Sequence, residues 1–468
     1  MRKYLVLVLC MALTAAGGCT LAPAYTRPAS PVPENWPPTE LFQGAADPSG
    51  AVAASELAWD EFFADGALKK LIRTALSNNR DLKIAALNVE RARSMYGIQR
   101  AEILPAINAA GSGGRERVPA DLSMTGKSTI SEQYQVNLGI ASWEIDLFGR
   151  LRSLKGRALE EYLATDQARR GTQISLISAV AQAYLTLAAD RETLEIAESS
   201  LASQEKTYEL IRKRDDLGVA SGLDLRQAQT LVETARADIA RFRRQVAVDE
   251  NALSLLVGSP VPQDLLPASL SSVVFPHEVA VGVGSETLLN RPDILQAEHR
   301  LKGAYANIGA ARAAFFPRIS LTTAVGTASS ELSGLFDSGS GTWSFAPSVG
   351  LPIFDTRLWP ALKVSEVDRK IAQARYEKAI QQAFRETADT LALLGTVDEQ
   401  LAAQQSLLGA VSETYRLANA RYTQGIDSFL SVLDAQRSLY GARQGLVAVR
   451  LARHAAQVQL YTALGGGA

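Results

Sequence analysis

Apolar side chains recur every seven residues along four stretches of the chain, which is the spacing of helices that pack as coiled coils. In the first half these positions are Leu187, Leu194, Leu201 and Tyr208, followed by Leu225, Val232, Ile239, Val246 and Leu253. In the second half they are Leu394, Leu401, Leu408 and Tyr415, followed by Val432, Leu439, Leu446 and Leu460, with Arg453 as the one charged residue in the series. An ordinary amphipathic helix has a similar apolar face, but the repetition of the same heptads in both halves favours coiled coils. As helices, Leu151–Arg214 and Leu358–Arg421 would each be roughly 96 Å long.

Shorter stretches alternate between apolar residues and small or polar ones, which is typical of β-strands with one exposed face. The predicted strands lie at about 107–118, 134–143, 318–328 and 342–353, and the first of them is Gly-rich and poorly patterned. Alternation over about ten residues suits a lipid-facing barrel strand, although half-buried strands of soluble proteins look similar. Because open sheet edges are not tolerated in lipid, four strands could span a membrane only if several chains share one barrel.

The same pattern of residues occurs twice along the chain. Asp81, Gly97, Arg100 and Pro105 recur as Asp293, Gly309, Arg312 and Pro317, and Tyr208, Arg214, Gly218 and Ser221 recur as Tyr415, Arg421, Gly425 and Ser428. Copies of this length are too long for solenoid units and indicate a duplicated domain, each copy running helix, strand, strand, long helix, turn, long helix. We therefore predict repeat 1 at 61–258, a linking segment at 259–286 and repeat 2 at 287–468.

The N-terminus indicates export from the cytoplasm. Arg2 and Lys3 precede the apolar run Leu5–Ala16, which is too short to span a bilayer as a helix and is typical of a secretory signal. The run ends in Ala16-Gly17-Gly18-Cys19, which looks like a bacterial lipoprotein box in which Cys19 becomes lipidated. The alternative is a simple cleaved signal with an incidental Cys19. We predict a signal peptide at 1–18 and a lipid-anchored, Pro-rich segment at 19–60, with Thr20 favouring sorting to the outer membrane.

Composition and charge narrow the function. Hydrophobic residues make up 47% of the chain and charged residues 21%, so a largely disordered state is excluded. Lys plus Arg number 48 against 49 Asp plus Glu, and without a basic excess nucleic acid is not an expected partner. The 2 Cys and 3 His are scattered, so neither a metal site nor a cofactor other than the lipid is expected. Neither His277 nor His299 has a second ligand at useful spacing, and no catalytic constellation is found.

Several motifs resemble one family. Cys19-Thr20-Leu21-Ala22-Pro23-Ala24-Tyr25-Thr26-Arg27-Pro28, Asn290-Arg291-Pro292-Asp293 with Ala297-Glu298, and Leu351-Pro352-Ile353-Phe354-Asp355 are similar to motifs of the outer membrane factor (TolC-like) family. The resemblance covers essentially the whole mature chain and is strongest to the lipoprotein (NodT-like) branch. It implies a mainly α fold with membrane β: a trimeric 12-stranded β-barrel, four strands per protomer, continuous with a long coiled-coil α-helical barrel that carries an equatorial collar.

The two turns between long helices are the candidate functional sites. Leu217–Asp224 and Gln424–Phe429 combine Gly with a capping Ser or Asp, as any tight turn between helices would. The resemblance places both turns at the periplasmic tip, where it implies a gate at Thr423, Asp427 and Asp434. It implies that the tip latches or adaptor-docking positions are Asp224, Arg421, Gly218, Ser221, Gly425 and Ser428. Thr423 stands where the family often has a bulkier apolar residue.

The resemblance implies a passive duct in the outer membrane, extending into the periplasm, that is not an enzyme. Its expected partners are two further copies of the chain, a periplasmic adaptor (membrane fusion) protein, an inner-membrane transporter of the resistance-nodulation-division (RND) class and outer-membrane lipid. Two alternatives are a non-conducting coiled-coil lipoprotein scaffold and a type I secretion duct. Drugs, organic solvents, metal ions and phenolics all remain possible substrates.

Overall fold

The computed structural model describes residues 20–36, 57–274 and 284–466. The signal segment, Cys19, His277 and part of the Pro-rich segment lie outside these ranges. The lipidation of Cys19 therefore stays a prediction.

Long helices and one sheet dominate the described ranges. The helices are α1 Trp59–Phe62, α2 Gly66–Asn78, α3 Arg80–Ala101, α4 Arg150–Asp216, α5 Gly222–Val257, α6 Pro292–Ala313, α7 Leu358–Thr423 and α8 Phe429–Ala463. The strands are β1 Ile107–Val118, β2 Thr129–Ile145, β3 Arg318–Ser329 and β4 Gly341–Gly350. Short 3-10 helices lie at Gln263–Leu265, Leu270–Ser272, Ser285–Asn290 and Leu332–Gly334. The predicted order of elements thus occurs in both repeats.

The chain divides into two compact units, to each of which both repeats contribute. The first contains Asn88–Asp166 and Gln296–Tyr376, with the sheet, together with the N-terminal residues up to Ala29. The second contains Ser30–Leu87, Gln167–Leu295 and Glu377–Ala468, with the two helical turns.

The sheet is antiparallel, with strand order β1-β2-β3-β4. The Gly-rich β1 forms a full strand, because its pairing with β2 depends on backbone groups more than on side chains. β2 begins at Thr129, earlier than predicted, and β4 ends at Gly350 rather than near residue 353. The early end of β4 agrees with Pro352, which has no N–H to donate to a neighbouring strand.

The heptad positions lie where coiled-coil packing requires. Those that are buried include Leu187, Val232, Ile239, Leu253, Val432, Leu439 and Leu460. The exception to the apolar pattern, Arg453, is half-buried and forms an ion pair with Asp398 at 2.7 Å. One stretch of α4 is apolar enough to cross a membrane by length and composition, but most of it is buried inside the fold, as in the core helix of a soluble protein.

The Asn290–Asp293 motif has a structural role in the second unit. Arg291 donates to the carbonyl of Ala463 at the end of α8 and pairs with Asp293 and Glu386 at 2.8 and 2.9 Å. In repeat 1 Asn79, at the equivalent position, donates to the carbonyl of Leu256 near the end of α5. Each repeat therefore closes its last helix with a side chain from the start of its first long helix, satisfying carbonyls that the helix leaves without partners.

Candidate functional site

Both turns between the long helices have the same backbone geometry. In the first, Gly218 has a φ of +73° and the N–H of Val219 donates to the carbonyl of Arg214; in the second, Gly425 has a φ of +74° and the N–H of Ile426 donates to the carbonyl of Arg421. This is the Schellman ending of a helix, which needs a left-handed residue and therefore favours Gly. The predicted role of both glycines as tight-turn residues follows from this geometry.

The two turns differ in how the next helix is capped. The Ser221 hydroxyl accepts a hydrogen bond from the N–H of Leu223, as expected of an N-cap. Ser428 occupies the N-cap position of α8, but its side chain makes no capping hydrogen bond, so the predicted capping by Ser428 is wrong. The residue before each serine also differs, since Ala220 in the first turn is replaced by Asp427 in the second.

Arg421 and Asp427 form an ion pair across the second turn. The Arg421 guanidinium donates to both carboxylate oxygens of Asp427, at 2.5 and 3.1 Å. This hydrogen bonding lowers the pKa of Asp427, and the pair persists at neutral pH and is lost as pH falls through that lowered pKa. Within one protomer Arg421 therefore binds its own turn, and Asp427 carries a compensated charge.

The remaining predicted gate residues have simpler surroundings. Thr423 is exposed at the end of α7 and its hydroxyl donates to the carbonyl of Ala420 at 2.8 Å. Asp434 is exposed one turn into α8, and Asp224 lies in the first turn of α5, where a carboxylate is favoured by the helix dipole. Neither Asp434 nor Asp224 forms an ion pair within the ranges that the structure describes. Of the two carboxylates predicted at the gate, Asp434 is therefore the one without an ion pair in the described part of the chain.

An aromatic cluster holds the two turns of one chain together. Ile211, near the first turn, packs in one core with Tyr422 and Phe429, and the rings of Tyr422 and Phe429 lie 5.3 Å apart. The Arg214 guanidinium lies over the Tyr422 ring at 5.3 Å, a favourable cation–π contact. Burial raises the pKa of Tyr422, with Arg214 opposing and Asp224 reinforcing the shift.

Sequence reasoning missed Tyr422 and Arg214 as site residues. Arg214 and Arg421 are equivalent in the two repeats, but the position of Asp427 is occupied by Ala220 in the first turn. Comparing the repeats could have shown that Arg214 lacks the counterpart of Asp427, but not that its partner is an aromatic ring of the other turn.

The sheet has one apolar and one polar face. Directly paired residues share a face, and Leu138 pairs with Val325, which pairs with Trp343, all three being exposed. The opposite face carries small and polar residues, including Asn108, Asn137, Ser320, Thr322, Ser344 and Ser348. An exposed apolar face continuous across four strands indicates a lipid or protein environment on that side.

Glycine allows close approach of the strands near the middle of the sheet. A Cβ at Gly139 would lie 2.1 Å from the carbonyl oxygen of Thr323, and one at Gly326 would lie 2.1 Å from that of Val136. Glycine at such positions is typical of strands that bend sharply, as barrel strands do. Both outer edges of the sheet, on β1 and β4, have no partner strand within the described chain.

The junctions between strand and helix are packed differently in the two repeats. After β2, Phe148 stacks on Phe316 at 4.8 Å, so the corner between α6 and β3 covers this junction. After β4, Ile353 and Phe354 are 86% and 89% exposed. Leu104, which is equivalent to Phe316 in the other repeat, is 69% exposed. Repeat 1 thus has a covered junction, and repeat 2 has an open one.

Comparison with known proteins agrees with these features. The sequence model of the outer membrane efflux protein family matches twice, at residues 71–259 and 283–466. The chain is 49% identical over 457 residues to the solvent efflux pump outer membrane protein SrpC of Pseudomonas putida, covering 97% of each. It is 48% identical over 464 residues to the antibiotic efflux pump outer membrane protein ArpC of Pseudomonas putida, covering 98% of this chain and 95% of that protein.

A solved structure has the same fold. The open-state MtrE outer membrane channel of Neisseria gonorrhoeae superposes with a TM-score of 0.86 at 40% identity, covering 96% of this chain and 98% of that one. The double match to the family model confirms the internal duplication, and the superposition covers both the sheet and the long helices.

Proposed function

Since the chain belongs to the outer membrane efflux protein family, we propose that three copies form the outer-membrane exit duct of a tripartite efflux pump. The observation that carries this proposal is the four-stranded sheet, which has an exposed apolar face and two open edges. In lipid such edges must be paired, and three copies placed edge to edge would close a 12-stranded barrel. Its polar face would then line the channel.

The contact between the two repeats inside one chain suggests how neighbouring copies contact each other in the trimer. Inside one chain, the α6–β3 corner of repeat 2 covers the junction after β2 of repeat 1. The equivalent α3–β1 corner, with Leu104, and the equivalent junction after β4, with Phe354, are both exposed. If the corner of one copy covers the junction of the next, β1 pairs with the neighbour's β4, and repetition of this heterologous contact closes a ring.

We expect Phe354→Asp to reduce trimer formation strongly, because a carboxylate would have to be buried in this contact. Leu104→Asp, on the opposing surface, should have the same effect. The proportion of trimer in detergent, measured by light scattering, tests both variants. Leu122→Asp is the matched control, since Leu122 is 74% exposed in the β1–β2 loop and should tolerate charge. Trimers of normal abundance in both variants would contradict this mode of closure.

The energy for transport would come from outside the duct. We propose that the turns at Gly218 and Gly425 receive a periplasmic adaptor, which connects the duct to an inner-membrane RND transporter. The relatives named for solvent and antibiotic efflux support organic solvents and antibiotics as substrates. A covalent lipid on Cys19 would anchor the segment that begins at Thr20.

Conductance across a planar bilayer tests the duct against the alternatives. Purified trimer should conduct ions, and a scaffold without a channel would not. The apolar face on all four strands favours the duct, because a periplasmic scaffold would have no use for it. A type I secretion duct would conduct as well, and it would be distinguished by the inner-membrane partner recovered in cross-linking.

The helix turns would form the gate. Tyr422 and Arg214 tie the two turns of one protomer together, and the Arg421–Asp427 pair rigidifies the second turn. Asp434 would contribute one uncompensated carboxylate per protomer, and three such charges near one axis would attract cations.

Breaking the Arg421–Asp427 pair should raise resting conductance. We expect Arg421→Ala and Asp427→Ala to give similar increases, and the double variant to give no more than either one, because both remove the same contact. Lowering the pH far enough to protonate Asp427 should raise the conductance of the wild type but not of the variants. Single-channel recording measures the resting conductance of the wild type, the two single variants and the double variant. Additive increases in the double variant would show that the two residues act separately.

A further inference from the structure

The N-terminal segment 20–27 binds along α6 through a buried carboxylate. Glu298 is only 3% exposed and accepts hydrogen bonds from the Tyr25 hydroxyl at 2.9 Å and from Arg27 at 2.8 and 3.3 Å. Lys302, one turn further along α6, pairs with the same carboxylate at 3.2 Å. A buried carboxylate needs such partners, and removing one leaves an uncompensated charge.

Apolar and aromatic contacts extend this attachment. The ring of Tyr25 lies edge-on to Tyr305 at 5.6 Å, and the Lys302 ammonium lies over the Tyr25 ring at 5.2 Å. Burial alone would raise the pKa of Glu298, but hydrogen bonds from Arg27, Tyr25 and Lys302 bring it below its ordinary value. Glu298 is therefore ionised at neutral pH, and the attachment is charge-assisted.

The segment continues toward the end of α6. The Arg312 guanidinium donates to the carbonyl of Leu21 at 3.2 Å, and Arg312 lies in the last turn before β3. A Cβ at Gly309 would lie 2.8 Å from both the nitrogen and the Cβ of Ala22 and 2.6 Å from the Ser153 hydroxyl of α4, so only glycine leaves room for the segment and α4 together. The equivalent Gly97 in repeat 1 has nothing within 4 Å. The contact is thus specific to repeat 2.

We propose that the α6 surface formed by Glu298, Lys302, Tyr305, Gly309 and Arg312 is a docking site for the chain's own N-terminal segment. This site holds Thr20 beside the end of α6, at the level where β3 begins, whether or not Cys19 carries a lipid. The protein surface, and not the acyl chains, then sets the height of the N-terminus relative to the sheet. Acyl chains on Cys19 would enter the leaflet next to the barrel rim without further ordering of the segment.

The test uses full-length protein exported by an ordinary cleavable signal, with Cys19→Ser to remove the lipid and a spin label at Thr20→Cys. The label should be immobilised in this protein, and Glu298→Gln or Arg27→Ala should make its motion about tenfold faster. Gly309→Ala should do the same, because its methyl group would overlap the backbone nitrogen and Cβ of Ala22 as well as the Ser153 hydroxyl. Gly97→Ala is the matched control on the equivalent helix and should leave the label immobilised.

Two results would overturn the proposal. One is a mobile label in the unlipidated protein with an intact α6 surface, which would mean that the lipid alone positions the N-terminus. The other is equal mobility in the Gly309→Ala and Gly97→Ala proteins. Conductance of the same preparations reports separately on the duct, so loss of channel activity would be distinguished from loss of docking.

Discussion

Tyr422→Ala should raise resting conductance more than any other single substitution at the helix turns. Tyr422 is only 8% exposed, packs against Phe429 and lies under the Arg214 guanidinium of the other turn. Truncating a buried aromatic residue to alanine typically costs about 3–5 kcal/mol, and here it also frees Arg214. The contact between the two turns of each protomer is lost, so the closed arrangement is weakened at three places in the trimer. Single-channel recording in planar bilayers measures the effect.

The variant Tyr422→Phe distinguishes the contribution of the aromatic ring from that of the hydroxyl. The ring makes the contacts with Phe429 and Arg214, so the phenylalanine variant should keep the wild-type resting conductance. Leu417→Ala, at an exposed position of the same helix, should also be without effect. An alanine variant that stays as closed as the wild type would exclude Tyr422 from the gate.

Ile239→Asp should abolish assembled trimer. Ile239 is a heptad residue of α5 that is 6% exposed, and a carboxylate there would be buried without a partner, at a cost of several kilocalories per mole. The helical hairpin formed by α4 and α5 would then separate along its seam. Native gels and thermal unfolding measure the loss.

Thr234→Asp is the matched control for Ile239→Asp. Thr234 lies on the exposed side of the same helix, so the added charge remains in water and should be tolerated. Trimer of normal thermal stability from the Ile239→Asp protein would show that the heptad register is not the packing register of α5.

The spacing of residues along the chain predicts most of the helices, strands and turns. Period-seven positions such as Val232 and Ile239 are buried because an α-helix returns the same face to its neighbour every two turns. The left-handed glycines Gly218 and Gly425 could be assigned to turns because few other residues adopt that backbone conformation. Each of these features is determined within a few residues of chain.

The internal duplication allows an element predicted in one repeat to be assigned to the equivalent residues of the other repeat. The two copies supported each other's elements, and the weak β1 pattern could be assigned to a strand because its counterpart β3 alternates clearly. The family motifs then indicated the function as an outer-membrane duct, which the periodicity alone does not predict. The strand ends do not follow from this spacing, because β4 stops just before Pro352, which has no N–H to donate, and β2 begins where its pairing with β1 begins.

Only the tertiary structure decided which distant residues meet. Arg214 and Arg421 are equivalent in sequence, yet Arg214 lies over the Tyr422 ring and Arg421 pairs with Asp427, a position that Ala220 occupies in the first turn. The N-terminal motif and Glu298 were both visible in the sequence, but their contact joins residues 271 positions apart. Local spacing determines which face of an element is apolar or charged, whereas the partner of that face depends on how the elements pack, and packing is a property of the folded chain as a whole.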